Sequence, residues 1–325
     1  LKNYLLKLPI HISVCIFLLF IGLHNAFAIP PYSSDIRFKP VLEKESIYNN
    51  IVVYYSDKDK LVMAFKSKGT TYSETEIDLA DPTNLTIEYT RLFMSTLFFV
   101  PEPKNILIVG LGAGAMSNFL QSYYPNTNID MIEIDEEVVK ISREYFGMRE
   151  SKLTKVHVKD GRVFVKRAKK KYDIIFLDAF RGSFVPFHLK TKEFYKEIKS
   201  KLTPNGVVAS NLFGGSALYP YDLRTFSEVY KKLYSFKGQG NVILIAGNDE
   251  AINLEDAGMM EAAKKLMAEK KFNFDFKFIA ESYFPVGSIN ENLRAFTDDF
   301  APVNFINSVK DHNTECFACL YDTRK

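Results

Sequence analysis

The stretch NILIVGLGAGA (residues 105–115) decides the fold. An apolar run rich in β-branched residues ends in three glycines, Gly110, Gly112 and Gly114, ahead of a helix-compatible segment. Similar apolar runs recur downstream as NIDMIEID, KVHVKD, YDIIFLDAF, GVVASNLF and NVILIAGN. Amphipathic stretches such as EEVVKISREYF and TKEFYKEIKSKL lie between them. Strand and helix in alternation predict an α/β, Rossmann-like, doubly wound and mostly parallel sheet. Nearly continuous apolar strands agree, because parallel strands are buried on both faces. Such sheets bind ligands outside the carboxyl ends of their strands, where strand order reverses.

Upstream, NNIVVYYSD, a charged turn and LVMAFKS read as a β-hairpin, and NLTIEYTRLFMSTLFFV has helical spacing. The chain therefore divides into an N-terminal β-hairpin domain with a linking helix (29–100) and a nucleoside-binding domain (101–325). Residues 1–28 differ from both. Lys2 and Lys7 precede the apolar IHISVCIFLLFIGL, and Ala26-Phe27-Ala28 offers a small-residue exit. That layout predicts a secretory signal peptide and an exported protein, periplasmic or secreted. If uncleaved, the segment is the only membrane attachment expected. The net charge of +3 is too weak to imply a nucleic-acid partner. Of the three cysteines, Cys15 falls in the leader, while Cys316 and Cys319 form CFAC. A lone pair at that spacing is a local disulfide, a redox pair or two unlinked thiols, and makes no zinc site.

The residues that finish the strands carry the chemistry. Gly110, Gly112 and Gly114 let the backbone turn tightly and approach a ligand at a helix N-terminus. Glu133 lies 23 residues after Gly110, where an acid accepts both hydroxyls of a ribose. Asp135 falls at the next helix start and reads as its N-cap. Asp160 ends the third strand, positioned to accept from an adenine amino group or to cap the following helix. Asp178 ends the fourth. Acids gathered at one sheet edge repel each other, a cost that a bound nucleoside and cation would offset.

S-adenosyl ligands lack a pyrophosphate, and their folds pair a Gly-x-Gly-x-Gly turn with acids on strands two, three and four. The chain thus resembles the class I S-adenosylmethionine-dependent transferases. Position 108, two before the first glycine, is Ile where most methyltransferases of that class carry an acid. ILIVGLGAG, KESIYNNIVVYYSDKDKLVMAF, MIEIDEEVVKISREYFG, VKDGRVFVK, YDIIFLDAF, TKEFYKEIKSKLTPNGVVASN and FTDDFAPVNFI are instead similar to the spermidine synthase family, over roughly residues 40–310. The resemblance implies that Glu133 holds the ribose and that Asp160 with Gly161 holds the adenine. It makes Asp178 the general base. It also implies a homodimer, a small-molecule amine acceptor, and decarboxylated S-adenosylmethionine as co-substrate. The reaction would be displacement at a sulfonium carbon by an amine. Only the neutral amine attacks, and a free primary amine has a pKa near ~10. A carboxylate beside it takes the proton.

The acceptor side departs from the family. Arg181 stands where the family grips the diamine with an acid, and would cost about 3 kcal/mol at ~6 Å from an ammonium in an effective dielectric of 20. Ala113 replaces the acid inside the glycine turn. Tyr89 matches the family's YHE motif, while Thr90 and Arg91 do not. Arg91 and Arg181 suit an acceptor bearing a carboxylate, or Arg181 is solvated. Two alternatives stay open: a methyltransferase using intact S-adenosylmethionine, and an exported, non-catalytic binding protein. His157 and His188 lack partners at metal spacing, so no metal is expected. Asp298 and Asp299 face the cleft or pin a loop. Ser183 and Ser216 lack a nucleophile-elbow context.

Overall fold

The computed structural model describes residues 37–67, 70–180, 184–248, 254 and 256–300. The leader-like segment 1–28, Arg181, Ser183 and the Cys316–Cys319 pair lie outside the described residues.

Four strands come first: β1 (Pro40–Glu45), β2 (Asn50–Asp57), β3 (Lys60–Ser67) and β4 (Thr70–Asp78). They form one antiparallel sheet in chain order, so the expected β2–β3 hairpin is flanked by a further strand on each side. The linking segment is two short helices, α1 (Glu88–Phe93) and α2 (Thr96–Phe99), parted at Met94 and Ser95. There the Ser95 and Thr96 hydroxyls donate to the Leu92 and Phe93 carbonyls and compete with the helical ladder.

Next come β5 (Asn105–Val109), α3 (Ala115–Tyr123), β6 (Asn128–Glu133), α4 (Glu136–Tyr145), β7 (Thr154–Val158), α5 (Gly161–Arg167) and β8 (Tyr172–Leu177). They are followed by α6 (Lys192–Lys201), β9 (Leu202–Phe213), α7 (Tyr219–Ser227), β10 (Leu233–Lys237), β11 (Asn241–Gly247), α8 (Asp256–Lys270), α9 (Phe276–Glu281) and β12 (Tyr283–Phe284). The second sheet runs β12-β10-β11-β9-β8-β5-β6-β7. Strands β9, β8, β5, β6 and β7 are parallel. The segment NVILIAGN, expected among the parallel strands, is β11 and runs antiparallel to β9. The short run LYSFK supplies β10, and residues 238–240 turn it straight into β11, a connection too short for a parallel crossover.

The period-two alternation divides each strand between two cores. Ile106, Ile108, Ile129, Met131, Ile174 and Phe176 pack under α1, α2, α3, α8 and α9. Leu107, Val109, Ile132, Ile175 and Leu177 pack under α5, α6 and α7. The N-terminal sheet docks by Ile51, Val53, Met63, Phe65 and Ile77 against Ala113, Val138, Ile141 and Tyr145. That packing brings β4 over the glycine turn.

Candidate active site

Strand β5 stands between β6 and β8, and the chain winds outward from it in both directions. The crevice between the ends of β5 and β8 is therefore the switch point where ligands bind in such sheets. A cavity of about 330 Å³ lies there. Its wall includes Gly110, Gly112, Glu133, Asp160, Gly161, Asp178 and Tyr89. Gly114 is not on the wall; it precedes α3 in the left-handed conformation, packed behind the turn against Met148.

Gly110 has φ +97°, and a Cβ there would lie 2.3 Å from the Asp178 carbonyl oxygen. The Asp178 N–H in turn donates to the Val109 carbonyl at 2.8 Å. Glycine thus lets the nucleoside turn and the Asp178 loop share one crossing point.

Glu133 accepts from the backbone N–H groups of Leu111 (3.2 Å), Ile134 (2.8 Å) and Asp135 (2.9 Å). Burial raises its pKa while these donors oppose the rise. They hold the carboxylate in place beside the glycine turn, on the cavity wall. Asp135 is the N-cap of α4, accepting from the Glu137 N–H at 3.1 Å. Its other oxygen accepts from Ser46 Oγ (2.5 Å) and Asn49 Nδ2 (3.0 Å), in the loop that joins β1 to β2. Asp160 caps α5 through the Val163 N–H (2.8 Å) and still lines the cavity. His188 Nε2 lies 2.9 Å from its Oδ2. The sequence offered no sign of that pairing, because 28 residues separate the two.

Asp178 is held by Asn211, whose Nδ2 donates to its Oδ1 at 2.9 Å. Asn211 accepts in turn from Asn241 Nδ2 at 2.9 Å. Burial pushes the Asp178 carboxyl up to about 7, with Asn211 and the Tyr89 hydroxyl opposing part of the rise. Burial holds the Tyr89 phenol well above its ordinary range, as do the Asp178 and Glu74 charges, so it remains a donor. Asn211 went unnoticed in GVVASNLF; a polar residue inside a buried apolar strand was the available signal.

Other candidates lie elsewhere. Arg91 is not on the cavity wall: its Nε donates to the Leu85 carbonyl and its guanidinium lies 5.5 Å from the Phe274 ring centroid. An acceptor carboxylate gains nothing from it. Asp298 takes the loop-pinning role, accepting from Arg162 and Thr191. His157 pairs with Asp130 at 3.0 Å. Ser216 sits in a turn, its hydroxyl accepting from the Leu218 N–H. Ala113 is buried between the two sheets.

The fold is that of the α/β, methyltransferase-like class, with acids gathered at the strand ends. The sequence model of the spermine/spermidine synthase domain matches residues 87–239. A polyamine aminopropyltransferase of Vibrio vulnificus is 32% identical over 275 residues, covering 81% of this chain and 90% of that protein. The chain belongs to the spermine/spermidine synthase family. A probable spermidine synthase from Corynebacterium glutamicum shares the fold with a TM-score of 0.61 at 21% identity, over 78% of this chain and 98% of that one. A spermidine synthase in complex with the transition-state analogue AdoDATO has a TM-score of 0.57 at 18% identity, over 83% of this chain and 86% of that one.

Proposed function

We propose that the protein transfers an aminopropyl group from decarboxylated S-adenosylmethionine to an amine. The observation that carries this is Asp178, a buried carboxyl with its pKa raised to about 7, at the switch point beside the glycine turn and Glu133. A base poised near neutrality suits removal of a proton from an attacking amine. The amine nitrogen forms a bond to the sulfonium-bound carbon as the carbon–sulfur bond breaks. The sulfur keeps the electron pair and leaves as a neutral thioether, methylthioadenosine. Asp178 takes the proton from the new secondary ammonium. Glu133 accepts from the ribose hydroxyls, and Asp160 with Gly161 lies where the adenine would rest. Holding amine and sulfonium in line supplies much of the remaining acceleration.

The wall favours the decarboxylated donor over intact S-adenosylmethionine. Among the described residues it carries Glu74, Glu133, Asp160 and Asp178 against Lys159 and His188. A donor with an added carboxylate would be repelled by each of these carboxyls that is ionised. The leader layout of residues 1–28 supports placing this reaction outside the cytosol; N-terminal sequencing of the protein from fractionated cells tests that placement.

The function is tested by calorimetric titration of the protein with decarboxylated S-adenosylmethionine, S-adenosylmethionine and methylthioadenosine. Micromolar binding of the decarboxylated donor, at least about tenfold tighter than S-adenosylmethionine, is expected. Preference for S-adenosylmethionine would instead indicate methyl transfer, and no binding of any of the three would overturn a nucleoside enzyme altogether.

A further inference from the structure

One carboxyl on the cavity wall has no task in this chemistry. Glu74 belongs to β4, in the N-terminal sheet, and lines the cavity. Strand β3 pairs Met63 with Thr75 and Ala64 with Ser73, so Glu74 is the extra residue of a β-bulge. Bulges re-aim a side chain next to a site. Its Oε1 is closed off from solvent and has no hydrogen-bond partner among the described residues. Leaving a buried acceptor without a donor is costly, and costlier when it is charged.

Two contacts of its strand and the charges around it tie this carboxyl to the site. The Glu74 carbonyl accepts from the Tyr89 hydroxyl at 3.2 Å, and Tyr89 also bears on Asp178. The next residue, Thr75, packs against Gly112. Burial holds the Glu74 carboxyl well above the usual carboxylate range, and the charges of Asp178 and Glu133 add to the rise. Glu74 therefore shares one cavity with the glycine turn, Asp178 and two other acids, and feels the charges of Asp178 and Glu133. A donor of N–H bonds that brings positive charge fills the orphan acceptor and offsets the neighbouring carboxylates at once.

We propose that Glu74 is a binding residue for an aliphatic ammonium, anchoring the chain that crosses from the glycine turn to Asp178. This inference rests on the aminopropyl-transfer function proposed above. The ammonium comes from one of two sources, the donor's aminopropyl end or the acceptor amine. Glu74 accepts hydrogen bonds from it and takes no proton in the reaction.

Glu74→Gln tests this, because the amide keeps the shape and removes the charge. Glu74→Ala is compared in parallel, and thermal melting of both confirms that they fold. Methylthioadenosine, which has no ammonium, is expected to bind Glu74→Gln within about twofold of the parent protein. Either the Kd of decarboxylated S-adenosylmethionine or the KM for putrescine, a linear aliphatic diamine, is expected to rise about tenfold or more. A rise in the first identifies the donor's ammonium, and a rise in the second the acceptor's. Unchanged values for both overturn the proposal while leaving aminopropyl transfer intact. Equal weakening of methylthioadenosine also overturns it, because the effect then lies in the cavity's shape. Failure of the parent protein to bind any of these nucleosides removes the function and this inference together.

Discussion

Asp178 holds a proton near neutrality because the fold removes its carboxylate from water, and Asn211 and Tyr89 recover only part of that loss. As the proposed base it must be ionised to act, so kcat/KM is expected to rise with pH through an inflection near 7. In the donor complex the sulfonium favours the carboxylate, so kcat inflects at lower pH. Asp178→Asn is expected to lower kcat by about 10²–10⁴-fold and to erase that limb of the pH–rate profile. A limb that survives the substitution would assign the base elsewhere. The same carboxyl costs stability. Its folded pKa lies above the value of 3.8 for an unperturbed aspartate, so the folded state binds the proton more tightly. Its contribution is present below pH 3.8 and lost as pH rises through about 7. The loss amounts to roughly 4 kcal/mol at alkaline pH. Asp178→Asn should therefore melt above the parent protein at pH 8, with the gap closing toward pH 4.

The glycine turn shows how one element depends on another. Gly110 combines a positive φ with contact against the Asp178 carbonyl, so both its conformation and its lack of a side chain are required. Gly110→Ala is expected to destabilise by about 3 kcal/mol, measured by urea unfolding, and to displace the base as well. Much of this element was legible in the sequence. An apolar β-branched run ending in glycine or acid has one economical interpretation, and β5, β6, β7 and β8 all carry it. The N-cap at Asp135 was legible because capping is local chemistry. Strand β12 was not, since its two residues pair with Ser235 and Phe236 far upstream; β10 was missed because LYSFK is short and carries a polar residue at its centre. The bulge at Glu74 was hidden for another reason: YSETEID alternates without showing which residue the partner strand skips.

At the scale of the whole molecule, the cavity exists only because two sheets meet. Asp135 caps α4 in one and receives Ser46 and Asn49 from the other. Tyr48 and Asn49 of that loop also line the cavity. Ser46→Ala leaves the cap intact but removes a charge-assisted hydrogen bond, expected to cost about 1–2 kcal/mol. The Kd of methylthioadenosine should rise severalfold in the same variant, measured by calorimetry. An unchanged Kd would mean that the hydrophobic contact alone positions the N-terminal sheet. The amide relay from Asn241 through Asn211 to Asp178 also spans the molecule. Asn241 opens β11, which adds no residue to the cavity wall. If Asp178 is the base proposed above, the antiparallel margin of the sheet is part of the acid–base apparatus, and the working pH of the site belongs to three strands jointly. Sequence drift on that margin can retune the chemistry while every ligand contact stays the same.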